Sequence, residues 1–442
     1  MDETANRKYP TRCDSAPEPK KTFLEDCGSP RKEFMQNLEF FLQWGFFAII
    51  AGLVGGLVGA AFVKLIAWAT ATRGAFPWLL FCMPAAGVII VFLHELFHEK
   101  GNRGTNLVLE SVTGDKPIDR PIPGLIFIST VLSHLVGASA GREGAALQIG
   151  GGIGGFVGRF FDLDEKERKI AVMAGMSAVF AAVFGTPVAA AVFPIEVISI
   201  GIMHYSALVP CVLSSFIGYQ VSLLLGVSFE QFTVSAIPAL SLHSVGLIIL
   251  LGIACGLCAQ LFCRILHLAN KLYSRFTPNS YVRILAASGI FILLTLLVGT
   301  DLYEGTSTAI IERSLAGSIP YEAFLFKMLF TAIALGGKFK GGEIVPVFCV
   351  GASLGCAFGM LLGFSPSLCA ACGLAGVFAG ATNCPVSTLL IALELMSPEG
   401  MPYYSIVIAV SFLFSGYSGL YESQRIMYSK TRPEFINAMT RL

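Results

Sequence analysis

The residues with the clearest chemical promise are Gly141-Arg142-Glu143-Gly144, set between two apolar stretches at the expected start of a helix. An ionisable pair at membrane depth costs on the order of several kcal/mol, so it marks a function or lines a wet cavity; the bland alternative is a surface loop. Flanking glycines let the backbone approach an ion, and the amides and positive dipole end at a helix start attract anions. A carboxylate there has two uses: ionised, it imitates an anion and occupies the site; protonated, it withdraws and carries a proton. The stretch GGKFKGGEIVPVF (336–348) repeats the design, with Glu343-Ile344-Val345 followed by a proline suited to a first helical turn. Lys338 and Lys340 there either raise the local anion concentration or are ordinary lysines at a membrane edge. Gly101-Asn102-Arg103-Gly104-Thr105-Asn106 offers a hydroxyl and amides that can donate to an ion. In SGYSGLYESQR (415–425), Tyr417 and Tyr421 follow an apolar run, where the ordinary reading is an interfacial anchor.

The elements that must position these residues are apolar. Of 442 residues, 55% are hydrophobic and 13% charged, and the mean hydropathy is +0.72, which excludes an ordinary soluble enzyme. Apolar runs from about Phe40 to Tyr428 make the chain a polytopic membrane protein. Its net charge of +1 gives no electrostatic case for nucleic acid as a partner. Many apolar stretches are shorter than the roughly 20 residues a crossing needs, so several helices should stop inside the membrane against protein or a wet cavity. In the first long stretch, GLVGGLVGAAF spaces small residues for close helix contact.

The chain also repeats itself. Val179 to Ser199 lies over Val377 to Ser397 at a shift of 198, with Val-Phe-Ala, Pro-Val and Glu-x-x-Ser in register. At a shift of 200, Gly141 falls on Gly341, Glu143 on Glu343, Gly151 on Gly351 and Gly155 on Gly355. Duplicated halves with interrupted helices mark ion pathways, and the breaks point to the binding site. Glu196 and Glu394 end equivalent helices, an arrangement that suits bonding to neighbouring backbone groups. His94, Glu95 and His98 read as a solvated helix end. Cys255 and Cys258 form a C-x-x-C within an apolar helix, where they pack as small hydrophobes. There is no H-E-x-x-H, no Walker A sequence and no spaced nucleophile and base, so no enzyme activity, metal or cofactor is expected.

In order and spacing, GREG (141–144), GGEIVP (341–346), GTPVAAAVFPIE, TNCPVSTLLIALE and the late Tyr421 resemble the CLC family of anion channels and anion/proton antiporters over about 40–430. The resemblance implies an all-α polytopic fold of two inverted repeats with partial, tilted helices. It also implies a homodimer in the cell membrane, one anion pathway per subunit and cytoplasmic termini. The CLC domain is expected over 37–430, with halves at about 40–226 and 244–425, between a disordered cytoplasmic tail (1–36) and a short one (431–442). Only 18 residues follow Gln424, far below the roughly 40 of a small self-folding unit, so no further domain is expected there.

Carried onto this chain, the resemblance makes Glu143 the gate. It implies that backbone around Gly141, Arg142, Glu143 and Gly144, with that near Ile344 and Val345, holds the anion. Asn102, Gly104, Thr105 and Asn106 approach it, and Tyr421 donates from the other side. Chloride-type members carry Gly-Ser-Gly-Ile-Pro where this chain has Gly104-Thr105-Asn106-Leu107-Val108. Proton-coupled chloride members carry an acid where this chain has Val197. The GGE-x-x-P segment, the asparagine at the first site and S-G-x-x-G-x-Y-x-x-Q look instead like the bacterial fluoride branch, which typically has methionine near Thr105. Fluoride export coupled to proton import is therefore the expected function, with Glu343 as the second proton ligand; the alternative is a chloride channel or chloride/proton antiporter.

Overall fold

The computed structural model describes residues 30–98, 104–114 and 117–440. The chain divides into two units at Phe46. Within the first, Pro30 already opens a helix, so residues 30–36 are helical rather than part of a disordered tail. Apart from the first residues of the helix that opens at Pro30, every feature below belongs to the second unit, Phe47–Leu442.

Sixteen α-helices are present among the described residues. The first eight are α1 (Pro30–Ala75), α2 (Met83–Leu96), α3 (Asn106–Thr113), α4 (Ile122–Leu135), α5 (Glu143–Phe160), α6 (Glu165–Phe184), α7 (Pro187–Val197) and α8 (Leu208–Leu224). The second eight are α9 (Leu242–Phe276), α10 (Ser280–Val298), α11 (Thr308–Leu315), α12 (Ala323–Gly336), α13 (Ile344–Leu362), α14 (Pro366–Thr382), α15 (Pro385–Leu395) and α16 (Met401–Phe414). The duplication is visible in their lengths: α3 and α11 have 8 residues each, α4 and α12 have 14, and α7 and α15 have 11. Six helical stretches are long and apolar enough to cross a membrane, and five shorter apolar helices accompany them. The protein is a multi-pass membrane protein.

Local sequence sets the helix starts. Proline stands in the first turn of α7, α14, α15 and α16, where its missing N–H forfeits no bond. Asp164 and Ser241 close reciprocal caps on α6 and α9. Small residues then set how closely the helices approach. A Cβ on Gly52 or Gly56 would meet Ile217 or Val221 of α8 at 2.7 and 2.6 Å, so the glycine pattern of α1 is a packing face, as expected. α5 crosses α6 through Gly154 against the Ala171 carbonyl, and α13 crosses α14 through Gly355 against the Cys369 carbonyl; a Cβ at either glycine would lie 2.1 or 1.9 Å from that oxygen. α6 and α14 are buried almost throughout and form the centre.

The halves are inverted. Glu196, near the end of α7, accepts hydrogen bonds from the Val386 and Ser387 amides at the start of α15 at 3.0 and 2.7 Å. Glu394, at the end of α15, accepts from the Val188 and Ala189 amides at the start of α7 at 2.9 and 2.8 Å. Each carboxylate satisfies the unpaired amides and the positive dipole end of its antiparallel twin. This is the backbone-bonding role read for both glutamates.

Two expectations are corrected by burial and pairing. His94 is only 6% exposed, with Nε2 3.1 Å from Ser129 Oγ of α4, because α2 packs on α4; it is not a solvated helix end. Residues 431–442 are not merely a tail: β3 (Phe435–Met439) pairs antiparallel with β2 (Arg425–Tyr428), which pairs parallel with β1 (Ser199–Ile200) directly after α7.

Candidate functional site

The site forms where the two repeats meet. The loops before α5 and α13 exchange backbone hydrogen bonds: the Gly141 amide donates to the Gly342 carbonyl at 2.7 Å, and the Gly342 amide donates to the Gly141 carbonyl at 2.6 Å. The approach is so close that a Cβ on Gly342 would lie 2.4 Å from the Gly144 nitrogen. Glycine is required there by space. The exchange brings the starts of α5 and α13 together without a side-chain cap on either.

This bridge also corrects the repeat register. Gly141 pairs with Gly342, and the starts of α5 and α13 are Glu143 and Ile344, so the halves match here at a shift of 201, not 200. Glu143 is therefore equivalent to Ile344, and Glu343 occupies the position of Arg142, before the helix. The two glutamates are neighbours by geometry and not copies of one another.

Their surroundings differ accordingly. Glu143 is 1% exposed and turned onto its own loop, accepting from Arg142 N at 3.1 Å and Arg142 Nε at 3.2 Å. The Arg142 guanidinium also lies 3.6 Å from Glu230, so it stands between two carboxylates. Glu343 Oε2 is buried with no hydrogen-bond partner. A Cβ on Gly144 would lie 3.2 Å from that oxygen and 3.4 Å from Thr105 Oγ1, so all three groups surround one point. Thr105 Oγ1 and the Tyr421 hydroxyl are also buried without a partner, and each residue is only 1% exposed. Unpaired buried polar atoms are costly and infrequent, and two at one point, with a third on the loop beside the same cavity, mark a ligand site.

Of the remaining expected site residues, Gly104 adopts φ +50° and leads into Thr105. The Asn106 amide oxygen accepts from Ser423 N at 3.0 Å, so Asn106 anchors the tyrosine loop while lining the cavity that reaches Glu343. Ile344 and Val345 supply the first turn of α13. Asn102 lies outside the described residues. A cavity of about 210 Å³ reaches this point, lined among others by Gly104, Gln148, Lys340, Gly341 and Glu343.

The voltage gated chloride channel family matches residues 85–416. The chain belongs to that family. It is 35% identical over 408 residues to a chloride/fluoride channel protein of Pseudomonas syringae pv. tomato, covering 90% of each chain. Among solved structures it is similar to a CLC-type fluoride/proton antiporter (TM-score 0.84, 28% identity, covering 92% of this chain and 100% of that one). A slow cyanobacterial Cl-/H+ antiporter shares the fold (TM-score 0.72, 18% identity, covering 84% and 94%).

Within this family fold, several site-building residues carried no signal in the sequence. Thr440 donates its hydroxyl to the Tyr421 carbonyl at 2.8 Å, and its amide donates to the Gln424 carbonyl at 3.2 Å. Gln424 donates to the carbonyls of Val197 and Thr382, both at 2.9 Å. Lys430 donates to the Phe412 carbonyl at 2.9 Å and to Ser415 Oγ at 3.0 Å. The last strand is thus tied to the loop that carries the site tyrosine. A signal was available only for Gln424, within the S-G-x-x-G-x-Y-x-x-Q end.

Proposed function

We propose that this chain exports fluoride across the cell membrane in exchange for protons, as a homodimer in the lipid bilayer with one pathway per subunit and cytoplasmic termini. The observation that carries the reading is the meeting of Thr105 Oγ1 and Glu343 Oε2 beside Gly144, both buried and unpaired, with the Tyr421 hydroxyl buried and unpaired on the loop whose Leu420 and Glu422 line the same cavity. Two hydroxyls can donate to a small anion, and hydrogen bonds to an ionised acceptor are roughly twice as strong as neutral ones. A protonated Glu343 adds a third donor, while an ionised Glu343 repels the anion from the same point. One group thus couples proton and anion occupancy. Glu143 stands one residue beyond, paired to Arg142, and acts as the gate when protonation releases it from the guanidinium. The names of the relatives, a chloride/fluoride channel and a fluoride/proton antiporter, support the same substrate class.

The test is anion efflux from liposomes holding purified protein, comparing fluoride with chloride while external pH is recorded under an imposed potential. The expected result is fluoride-selective efflux with protons moving the opposite way. Chloride flux as large as fluoride flux would favour a chloride/proton antiporter, and chloride flux without proton movement a chloride channel; either overturns the reading.

A further inference from the structure

The cavity that reaches Glu343 carries titratable groups far from the anion. Its wall includes His267 of α9, Glu110 of α3, and Glu422 and Ser423 beside the site tyrosine. His267 Nδ1 lies 3.2 Å from Glu422 Oε1, and His267 Nε2 lies 3.2 Å from the Gly419 carbonyl. A carbonyl only accepts, so Nε2 keeps its hydrogen and the nitrogen that gains or loses a proton is Nδ1. That nitrogen faces a carboxylate which is half exposed, with the side chain of Glu422 at 50% against 16% for His267. Glu422 is thus the more open end of the pair, and both residues line the cavity that reaches Glu343.

We infer that His267 and Glu422 form the proton relay between bulk water and Glu343. A proton from solvent is taken up at Glu422 or His267 Nδ1. Nδ1, the nitrogen that took the proton, then gives it to water in the cavity and becomes neutral again, and that water passes a proton to the Glu343 carboxylate; the reverse sequence releases it. Each step moves one proton between oxygen or nitrogen bases, and none needs another reactant. The cavity is polar and far larger than the roughly 15 Å³ that a single water requires, so a water path needs no side-chain rearrangement. The other charged groups facing the space are Glu110, which accepts from Ser423 Oγ at 3.0 Å, and Lys340; Arg283 stands behind Asn270, bonded to its amide oxygen. The inference deepens the proposed function and rests on Glu343 as a proton ligand.

The experiment uses the full chain in liposomes, with fluoride-driven proton flux, fluoride binding by calorimetry, and the pH profile of flux all measured. Wild-type protein that moves fluoride without protons would overturn the proposed function, and the relay with it. With wild-type coupling present, His267→Ala and Glu422→Gln should each slow proton flux at least about tenfold while fluoride binding stays within about twofold. The pH profile of His267→Ala should differ from that of the wild type, and added imidazole should restore its flux. Wild-type flux and pH profile in both variants would overturn the relay, as would a loss in His267→Ala that imidazole does not repair. If His267→Ala fails to fold, His267→Gln and Glu422→Gln carry the same test through the pH profile.

Discussion

α3 and α11 are repeat-equivalent helices of eight residues, yet the polar cradles at their starts have opposite fates. Before α11, the Lys327 ammonium is fully buried and donates to Ser139 Oγ at 2.8 Å, Ser307 Oγ at 2.7 Å and the carbonyls of Gly305 and Tyr303 at 3.0 and 3.3 Å. Before α3, Thr105 Oγ1 has no partner and faces Glu343, whose Oε2 has none either. The lysine comes from α12, and at the α4/α12 shift of 201 its counterpart is Ile126, which lines the open cavity. Duplication built the cradle twice. One copy is filled by a side chain and braces the fold, whereas the other keeps its polar groups for a ligand.

The comparison breaks most readily at the filled cradle. Lys327→Met removes the donor from the Tyr303 and Gly305 carbonyls, at about 1–3 kcal/mol for each left unsatisfied, while Ser139 and Ser307 keep Thr331 and the Glu304 carbonyl as partners. The expected outcome is a loss of roughly 3–5 kcal/mol, read as a large fall in the melting temperature of detergent-solubilised protein. An unchanged melting temperature would mean that the cradle is not a brace. At the open cradle, Glu343→Gln should leave the melting temperature nearly unchanged, because the carboxylate has no hydrogen-bonded partner to lose at Oε2. Its effect falls on coupling: fluoride should move with proton flux reduced on the order of a hundredfold. Equal proton flux in wild type and variant would return the second proton site to Glu143 alone.

The two cradles also mark the limit of what the sequence makes legible. The α7 and α15 helices, the glutamates that cap them and the Gly-Arg-Glu-Gly break were all readable, because ordered side-chain identities recur at one offset. The register of α5 against α13 was not. Glycine matches at a shift of 200 aligned Glu143 with Glu343, while the backbone bridge between Gly141 and Gly342 fixes 201. Glycine recurs wherever helices cross closely, so its identities do not fix register. Lys327 gave no sign of its role, since its four partners come from distant loops. The last strand was read as a tail because β3 joins β2 by backbone hydrogen bonds, which any polar stretch can make. Asn106 and Arg142 were assigned to the anion by position in a motif, which gave no sign of their other contacts: the Asn106 oxygen accepts from Ser423, and the Arg142 guanidinium lies beside Glu143 and Glu230.

A gentler contrast uses one hydroxyl from each cradle. Ser307→Ala removes an acceptor of the buried ammonium and should cost about 1–3 kcal/mol of stability. Thr105→Val removes a hydroxyl that has no partner in the protein, so stability should stay within about 0.5 kcal/mol. Fluoride affinity should instead fall about tenfold, the loss of one charge-assisted hydrogen bond of roughly 1.5 kcal/mol. Calorimetry and thermal melting on the same preparations separate the two. If Thr105→Val loses stability and keeps affinity, the two cradles are alike and the open site lies elsewhere.

The smallest effect concerns the strand that the open cradle recruits. Thr440 is 6% exposed, and its hydroxyl donates to the carbonyl of Tyr421, so valine keeps the shape and removes only that bond. A neutral hydrogen bond contributes about 1 kcal/mol, and whatever part of it holds the tyrosine hydroxyl toward Glu343 appears as affinity, up to about fivefold. Thr440→Ser should restore it, because the donor returns without the methyl group. A general loosening of the C-terminal strands would weaken fluoride binding whether or not the tyrosine carries its hydroxyl. Positioning would not: in a Tyr421→Phe background nothing remains to be aimed, and Thr440→Val should then change affinity by less than about 0.5 kcal/mol. Additive effects in that double-mutant cycle would assign the strand to stability alone, leaving Thr105 and Glu343 to define the site.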